Sequence, residues 1–180
     1  MAPKSTLVDA DPQASCSIWS DRRTKKEPDF LEALLSRVPS KLKALDSAVV
    51  DLPGACVPGL QGVLKASDIL IVPITYDQSC FDALPATLEL ALGSGTPTVV
   101  VVNRLNPKSS FQTVQEDVEA IINEICTELQ AESPAVCPHP LRERVANKDW
   151  WPLGEAAADH KQTQSFKEMQ KIYKWLKTYG

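Results

Sequence analysis

A chain of 180 residues is the size of one domain and long enough to bury a real core. A hydrophobic fraction of 43%, a formal net charge of -4 and a pI near 5.2 argue against a strongly basic nucleic-acid binder, while leaving room for a local basic patch. The five cysteines (Cys16, Cys56, Cys80, Cys126 and Cys137) are widely spaced and include no C-x-x-C, which argues against a disulfide framework or structural zinc site and fits reduced thiols. No apolar stretch reaches the roughly 18 residues of a membrane-spanning helix, and no signal-peptide core is present, so a cytoplasmic home is expected.

In chain order, the first strand is expected in "STLVDA" (5–10), an unbroken apolar run of the kind buried on both faces of a sheet. A polar, charged connection, "SDRRTKKEPD" (20–29), follows. "PDFLEALLSRV" (28–38) then places Phe30, Leu31, Leu34, Leu35 and Val38 on one helical stripe behind Pro28. "SAVVDL" (47–52) is the second strand, "PGLQGVLKAS" (58–67) a short helix and "DILIVPI" (68–74) the third strand. "SCFDALPATLELAL" (79–92) reads as a helix with Pro85 at a kink or in its first turn. "GSGTP" (93–97) reads as its C-cap and a loop. "PTVVVVNR" (97–104) is the strongest strand, and "AVCPHPL" (135–141) a weaker fifth. Between these two, residues 110–130 carry the clearest helix, with Val114, Val118, Ile121, Ile122, Ile125 and Leu129 in phase. A last helix over 165–179 aligns Phe166, Met169, Ile172, Tyr173 and Leu176. Strands alternating with helices predict a single α/β domain over residues 1–180, a three-layer parallel sheet with helices on both faces.

Parallel α/β sheets collect functional groups at the carboxyl ends of their strands. Here those ends read Asp9-Ala10-Asp11-Pro12-Gln13, Asp51-Leu52-Pro53-Gly54-Ala55, Pro73-Ile74-Thr75 and Asn103-Arg104. A carboxylate on a rigid strand can hold magnesium or its water near phosphates, and a following glycine lets the backbone turn an N–H toward them. Each loop alone is also a common capped turn; it is their order and spacing that carry weight.

That ordered set resembles the ParA/MinD family of deviant-Walker P-loop ATPases, the ParA partition branch in particular. "LVDADPQAS" looks like the family's switch I, and "AVVDLPGA" like its Walker B and switch II. "ASDILIVPITYDQSCFDALPATLEL", "PTVVVVNRLNP" and "LRERVANKDWWPLGEAA" resemble the segments that follow. The resemblance implies a P-loop NTPase-like fold that binds ATP and magnesium, dimerises with a ParA-type partner, contacts DNA without sequence preference and answers to a ParB-type protein. It implies that Asp11 aligns the attacking water, with Asp9 as its companion, and that Asp51 belongs to the magnesium shell. Pro53 and Gly54 would lie by the γ-phosphate and Asn103 by the adenine. Arg142 and Arg144 are candidates for contact with nucleotide, a partner subunit or DNA.

One departure matters. The family opens with a strand and a Gly-rich, lysine-bearing loop that cradles phosphates; in its place stands "MAPK", and Lys4 precedes the first strand. In the family that first strand lies mid-sheet beside the Walker B strand, so the sheet here is expected either to close up or to expose unpaired edges. A truncated or degenerate ATPase with little or no activity is therefore expected; the alternative is a non-enzymatic pseudo-ATPase module that pairs with a ParA-type or ParB-type partner. A flavodoxin-like binding domain is a third reading.

Other features read more plainly. His139 and His160 lack a paired nucleophile and fit surface or packing roles. Trp150 and Trp151 fit packing of the last helix, or an aromatic partner patch. The basic run Arg22-Arg23-Thr24-Lys25-Lys26 fits a solvated loop, or part of a DNA contact.

Overall fold

The computed structural model describes residues 5–179; Lys4 lies outside them. The first apolar run forms β1 (Thr6–Asp9), and its loop enters helix α1 (Ser15–Arg22). Then come β2 (Asp29–Glu32), a 3-10 turn and short α2 (Val38–Leu42). Next are β3 (Ala48–Asp51), α3 (Leu60–Lys65), β4 (Leu70–Ile74), α4 (Gln78–Gly93) and β5 (Thr98–Val102). The remaining elements are α5 (Phe111–Glu128), β6 (Ala135–Val136), α6 (Val145–Trp150) and α7 (Gln164–Leu176).

All strand pairs are parallel, and they form two three-stranded sheets, β2-β1-β3 and β4-β5-β6. β5 is buried at every position because it has a strand on each side and helices on each face. Val100 and Val102 pack with Leu84 and Leu88 of α4 and Val118 and Ile122 of α5. Val101 packs on the other face with Cys137 and Ile172. In the first sheet Val8 and Ala10 pack against Val38 of α2 and Val63 of α3.

α3, packed on the first sheet, is hydrogen-bonded to the entrance of the second. While Val63 of α3 sits in the first core, the Leu64 carbonyl beside it accepts a 2.6 Å hydrogen bond from Thr96 Oγ1, at the entrance to β5. Of the two outcomes foreseen for the sheet, the open one is found: β3 and β4 pair on one side only among the described residues.

A second tie joins α1 to the 3-10 turn at Trp151–Leu153. Trp19 stacks on Trp151 at 6.1 Å, and its Nε1 donates to the Glu155 carbonyl at 3.1 Å. Gly154 has φ +66°, and a Cβ there would stand 2.5 Å from the Arg23 nitrogen, so the approach needs glycine. The basic run is therefore not simply a solvated loop. Arg23 and Lys25 both pair with Asp159, and Arg22 and Lys26 make no ion pair among the described residues.

The helix expected over 28–38 is corrected. Its first half is β2, whose Phe30 and Leu31 lie opposite Leu7 and Val8, and Leu34 of the supposed stripe is 76% exposed. β1 needs a partner on its second edge, and that pairing outweighs a local helical period. Pro85 lies in the interior of α4, beyond its first turn. The stripe on α5 is found as expected, but on α7 Met169 and Tyr173 are exposed while Ile172 is buried. All five cysteines are free, and no helix among the described residues is long and apolar enough to cross a membrane.

Candidate functional site

β1 and β3 are neighbours in register, so Asp9 stands opposite Asp51 at the carboxyl end of the sheet. Asp9 is buried. Its Oδ1 accepts from the Asp11 N–H at 3.1 Å, and its Oδ2 from the Ser17 N–H at 2.8 Å and Ser17 Oγ at 2.9 Å. Ser17 is the third residue of α1, so the Asp9 carboxylate satisfies an amide that the helix leaves open and fastens the loop to the helix. Asp11 is half-buried, and its Oδ1 accepts from the Gln13 N–H at 2.9 Å, closing an Asx turn.

Asp51 carries a partner that sequence reasoning missed. The Cys16 thiol donates to its Oδ2 at 3.2 Å, and Asp9, Cys16 and Asp51 bring ligand atoms within 4.8 Å of one another. Burial pushes the Cys16 thiol up to about 12; the hydrogen bond to Asp51 and the charges of Asp51, Asp9 and Asp11 add to it. The thiol is therefore a standing donor at neutral pH and a poor nucleophile. The only signal in the sequence was that Cys16 lies on the first turn after the aspartate loop. At pH 8, iodoacetamide is expected to modify exposed Cys56 well before Cys16, and Asp51→Asn to speed labelling of Cys16. Peptide mass spectrometry measures both, and equal labelling of the two cysteines would contradict this environment.

Asp51 fits magnesium: its Oδ1 has no hydrogen-bond partner among the described residues and is a hard oxygen donor. Asp9 has both oxygens engaged, and a protonated thiol is no magnesium ligand. The residues fit a nucleoside triphosphate poorly. None of the ion pairs among the described residues includes Asp9, Asp11 or Asp51. Each uncompensated pair of like charges about 4 Å apart costs about 1 kcal/mol in water and about 4 kcal/mol near a protein surface.

The other expected site residues sit apart. Pro53 is half-buried after β3, and Gly54 is exposed, with open space where a Cβ would lie and no left-handed φ. Asn103 ends β5. Its N–H donates to the Ile74 carbonyl at 2.7 Å, and its Oδ1 accepts from the Arg104 N–H. Arg142 Nη1 donates to the carbonyls of Asn106, Pro107 and Ser109 at 3.1–3.2 Å, and its N–H donates to Glu168, which also pairs with Arg144. Arg142 thus ties the β5–α5 loop to α7. His160 stacks on Trp150 at 4.0 Å and hydrogen-bonds Glu155 at 2.9 Å, a packing role as expected.

No protein-family model matches the chain. It is 32% identical over 120 residues to maintenance of carboxysome distribution protein A of Gloeobacter kilaueensis, a match over 61% of this chain and 53% of that protein. The chain thus spans about half the length of the curated relative it matches. MinD of Aquifex aeolicus superimposes with a TM-score of 0.69 at 15% identity, over 98% of this chain and 85% of that one. The chain has the MinD fold. Cyanothece McdA, as an ATP complex of a variant, superimposes with a TM-score of 0.64 at 16% identity, over 98% of this chain and 86% of that one.

Proposed function

We propose that this chain is a ParA/MinD-family domain that serves in positioning a cellular body, and that by itself it binds ATP weakly and does not turn it over. The observation that carries the reading is the in-register pair Asp9–Asp51, with Asp11 on the adjoining loop, at the carboxyl ends of adjacent strands in this fold. The 32% match to a carboxysome distribution protein favours a positioning role over the DNA-segregation role that the partition branch implies. In this reading Asp51 holds the magnesium shell, Asp11 lies where a water would be aligned, and Asp9 holds the loop in place. Pro53, Gly54, Asn103 and Arg142 would border the nucleotide. A protein partner belongs to the reading as well: MinD of Aquifex aeolicus has been seen in complex with MinC, and a ParB-type or ParA-type partner is the counterpart here.

Weak binding follows from carboxylates that no cation among the described residues offsets. Calorimetric titration with ATP and magnesium is expected to give a Kd above about 1 mM, a binding energy smaller than about 4 kcal/mol, and coupled-assay turnover no higher than background. Metal-dependent turnover abolished by Asp51→Ala would overturn it.

A further inference from the structure

We propose that the groove between α7, the start of α5 and the loop that follows β6 receives an acidic segment of a partner protein, one apolar side chain entering the groove and the carboxylates beside it meeting the lysines of α7. The inference rests on this groove and this helix face and is independent of the functional reading above.

Three elements build the groove. Phe111 opens α5, Pro138 and Pro140 follow β6, and Ile172 holds α7 against Val101 and Cys137. They enclose about 280 Å3, with Phe111, Pro138 and Pro140 as apolar walls and Arg142, Glu168 and Lys171 among the polar ones. Of the residues read as bordering a nucleotide, Arg142 alone lines this groove; Pro53, Gly54 and Asn103 do not.

The polar walls are fixed and cationic. Arg142 Nη1 donates to the carbonyls of Asn106, Pro107 and Ser109, which holds the guanidinium in place, while its Nε and Nη2 make no hydrogen bond among the described residues. Glu168 is already engaged: it accepts from the Arg142 N–H and pairs with Arg144. Lys171 makes no ion pair among the described residues, and neither do Lys167 and Lys174. These three lysines stand at i, i+4 and i+7 on the exposed side of α7, away from buried Ile172. The whole chain carries a net charge of -4, so the cationic face is a local feature.

Unpaired cations beside apolar walls select an occupant that offers both carboxylates and an apolar group. Duplex DNA would answer the lysines and offer nothing to Phe111, Pro138 and Pro140. A short protein segment supplies both. Lys167 and Lys174 are about 10 Å apart along the helix axis, a distance that about three residues of extended chain span. The occupant is therefore an apolar anchor next to a run of three or four acidic residues.

The test uses the whole chain and a fluorescein-labelled peptide of leucine and phenylalanine followed by four glutamates. At low salt, fluorescence anisotropy is expected to give a Kd below about 1 mM, rising as salt is added. Lys171→Glu is expected to weaken binding about fivefold, whereas Lys41→Glu, on exposed α2, leaves it unchanged. Lys171→Glu is also expected to bind a peptide with lysines in place of the glutamates better than the unaltered chain does. Serine in place of leucine and phenylalanine is expected to weaken binding at least about fivefold. No binding at about 1 mM peptide would overturn the proposal, as would Lys171→Glu that binds the glutamate peptide undiminished. So would equal binding of the serine peptide or displacement by duplex DNA, which would make this face a general polyanion surface. Displacement by ATP would overturn it too, by giving the groove to the nucleotide.

Discussion

Arg23→Ala is expected to lower the stability of the domain by about 3–5 kcal/mol, the usual cost of removing one partner from a buried ion pair. Arg23 Nη1 and Nη2 grip the Asp159 carboxylate at 2.8 and 3.1 Å, and Nη1 also donates to the Gly154 carbonyl at 2.8 Å. The guanidinium lies over the Trp19 ring at 4.8 Å, and Nε donates to the Glu27 carbonyl. The two side chains of the pair are only 9% and 6% exposed. Deleting the arginine leaves Asp159 with Lys25, an exposed partner, and the Ala156 N–H. The loop that carries Trp151 and Gly154 would then be held on α1 mainly by the Trp19 stack. Urea unfolding followed by tryptophan fluorescence measures the loss, and a change below about 1 kcal/mol would place the pair with ordinary surface bridges.

The same contact fixes a pH dependence. The Arg23 hydrogen bond, opposed by burial and helped by Lys25, the Ala156 N–H and the Arg23 charge, holds the Asp159 carboxyl well below the usual carboxylate range. A carboxyl depressed in the folded state contributes stability above its unfolded pKa of about 3.9 and loses it as pH falls toward the folded value. Stability is therefore expected to fall on acidification below about pH 4, and Arg23→Ala to flatten that slope.

None of this was legible in the sequence, because Arg23 and Asp159 lie 136 residues apart and nothing in either neighbourhood announces the other. What could be read was whatever one segment decides alone. β1, β3, β4 and β5 are continuous apolar runs, the pattern of strands in a parallel sheet, although Val49 of β3 and Ile71 of β4 are exposed, and their ends, with Asp9 and Asp51, marked the site. β2 was hidden for the opposite reason: an edge strand of four residues, DFLE, makes no pattern of its own and borrowed a helical period from its neighbours. α1 was hidden too, since only Ser17 and Trp19 of its eight residues are buried. The division of the sheet follows from what pairs with what, and the resemblance gave it as one of two outcomes.

Asp9→Ala is expected to cost about 2–4 kcal/mol, because it strands the Ser17 N–H and hydroxyl in a buried setting where each unsatisfied group costs about 1–3 kcal/mol. The Asp11 N–H loses its acceptor as well, but Asp11 is half-buried, and water replaces part of that bond. Asp11→Ala removes only a local turn contact to the Gln13 N–H, on an exposed residue, and is expected to cost less than about 1 kcal/mol. The two neighbouring aspartates, alike in sequence, thus separate into one that holds the loop and one that faces outward from it. A second readout follows from the geometry. Ser17 and Cys16 are consecutive on the first turn of α1, so releasing Ser17 from Asp9 also releases the Cys16 thiol from Asp51. Alkylation of Cys16 should therefore speed up in Asp9→Ala, also in comparison with Asp11→Ala. Asp9→Asn, which keeps one acceptor oxygen for Ser17, should fall between alanine and the unaltered chain in both measurements. Equal destabilisation by the two alanine variants, or Cys16 labelling that ignores Asp9, would mean that this carboxylate does not organise the loop.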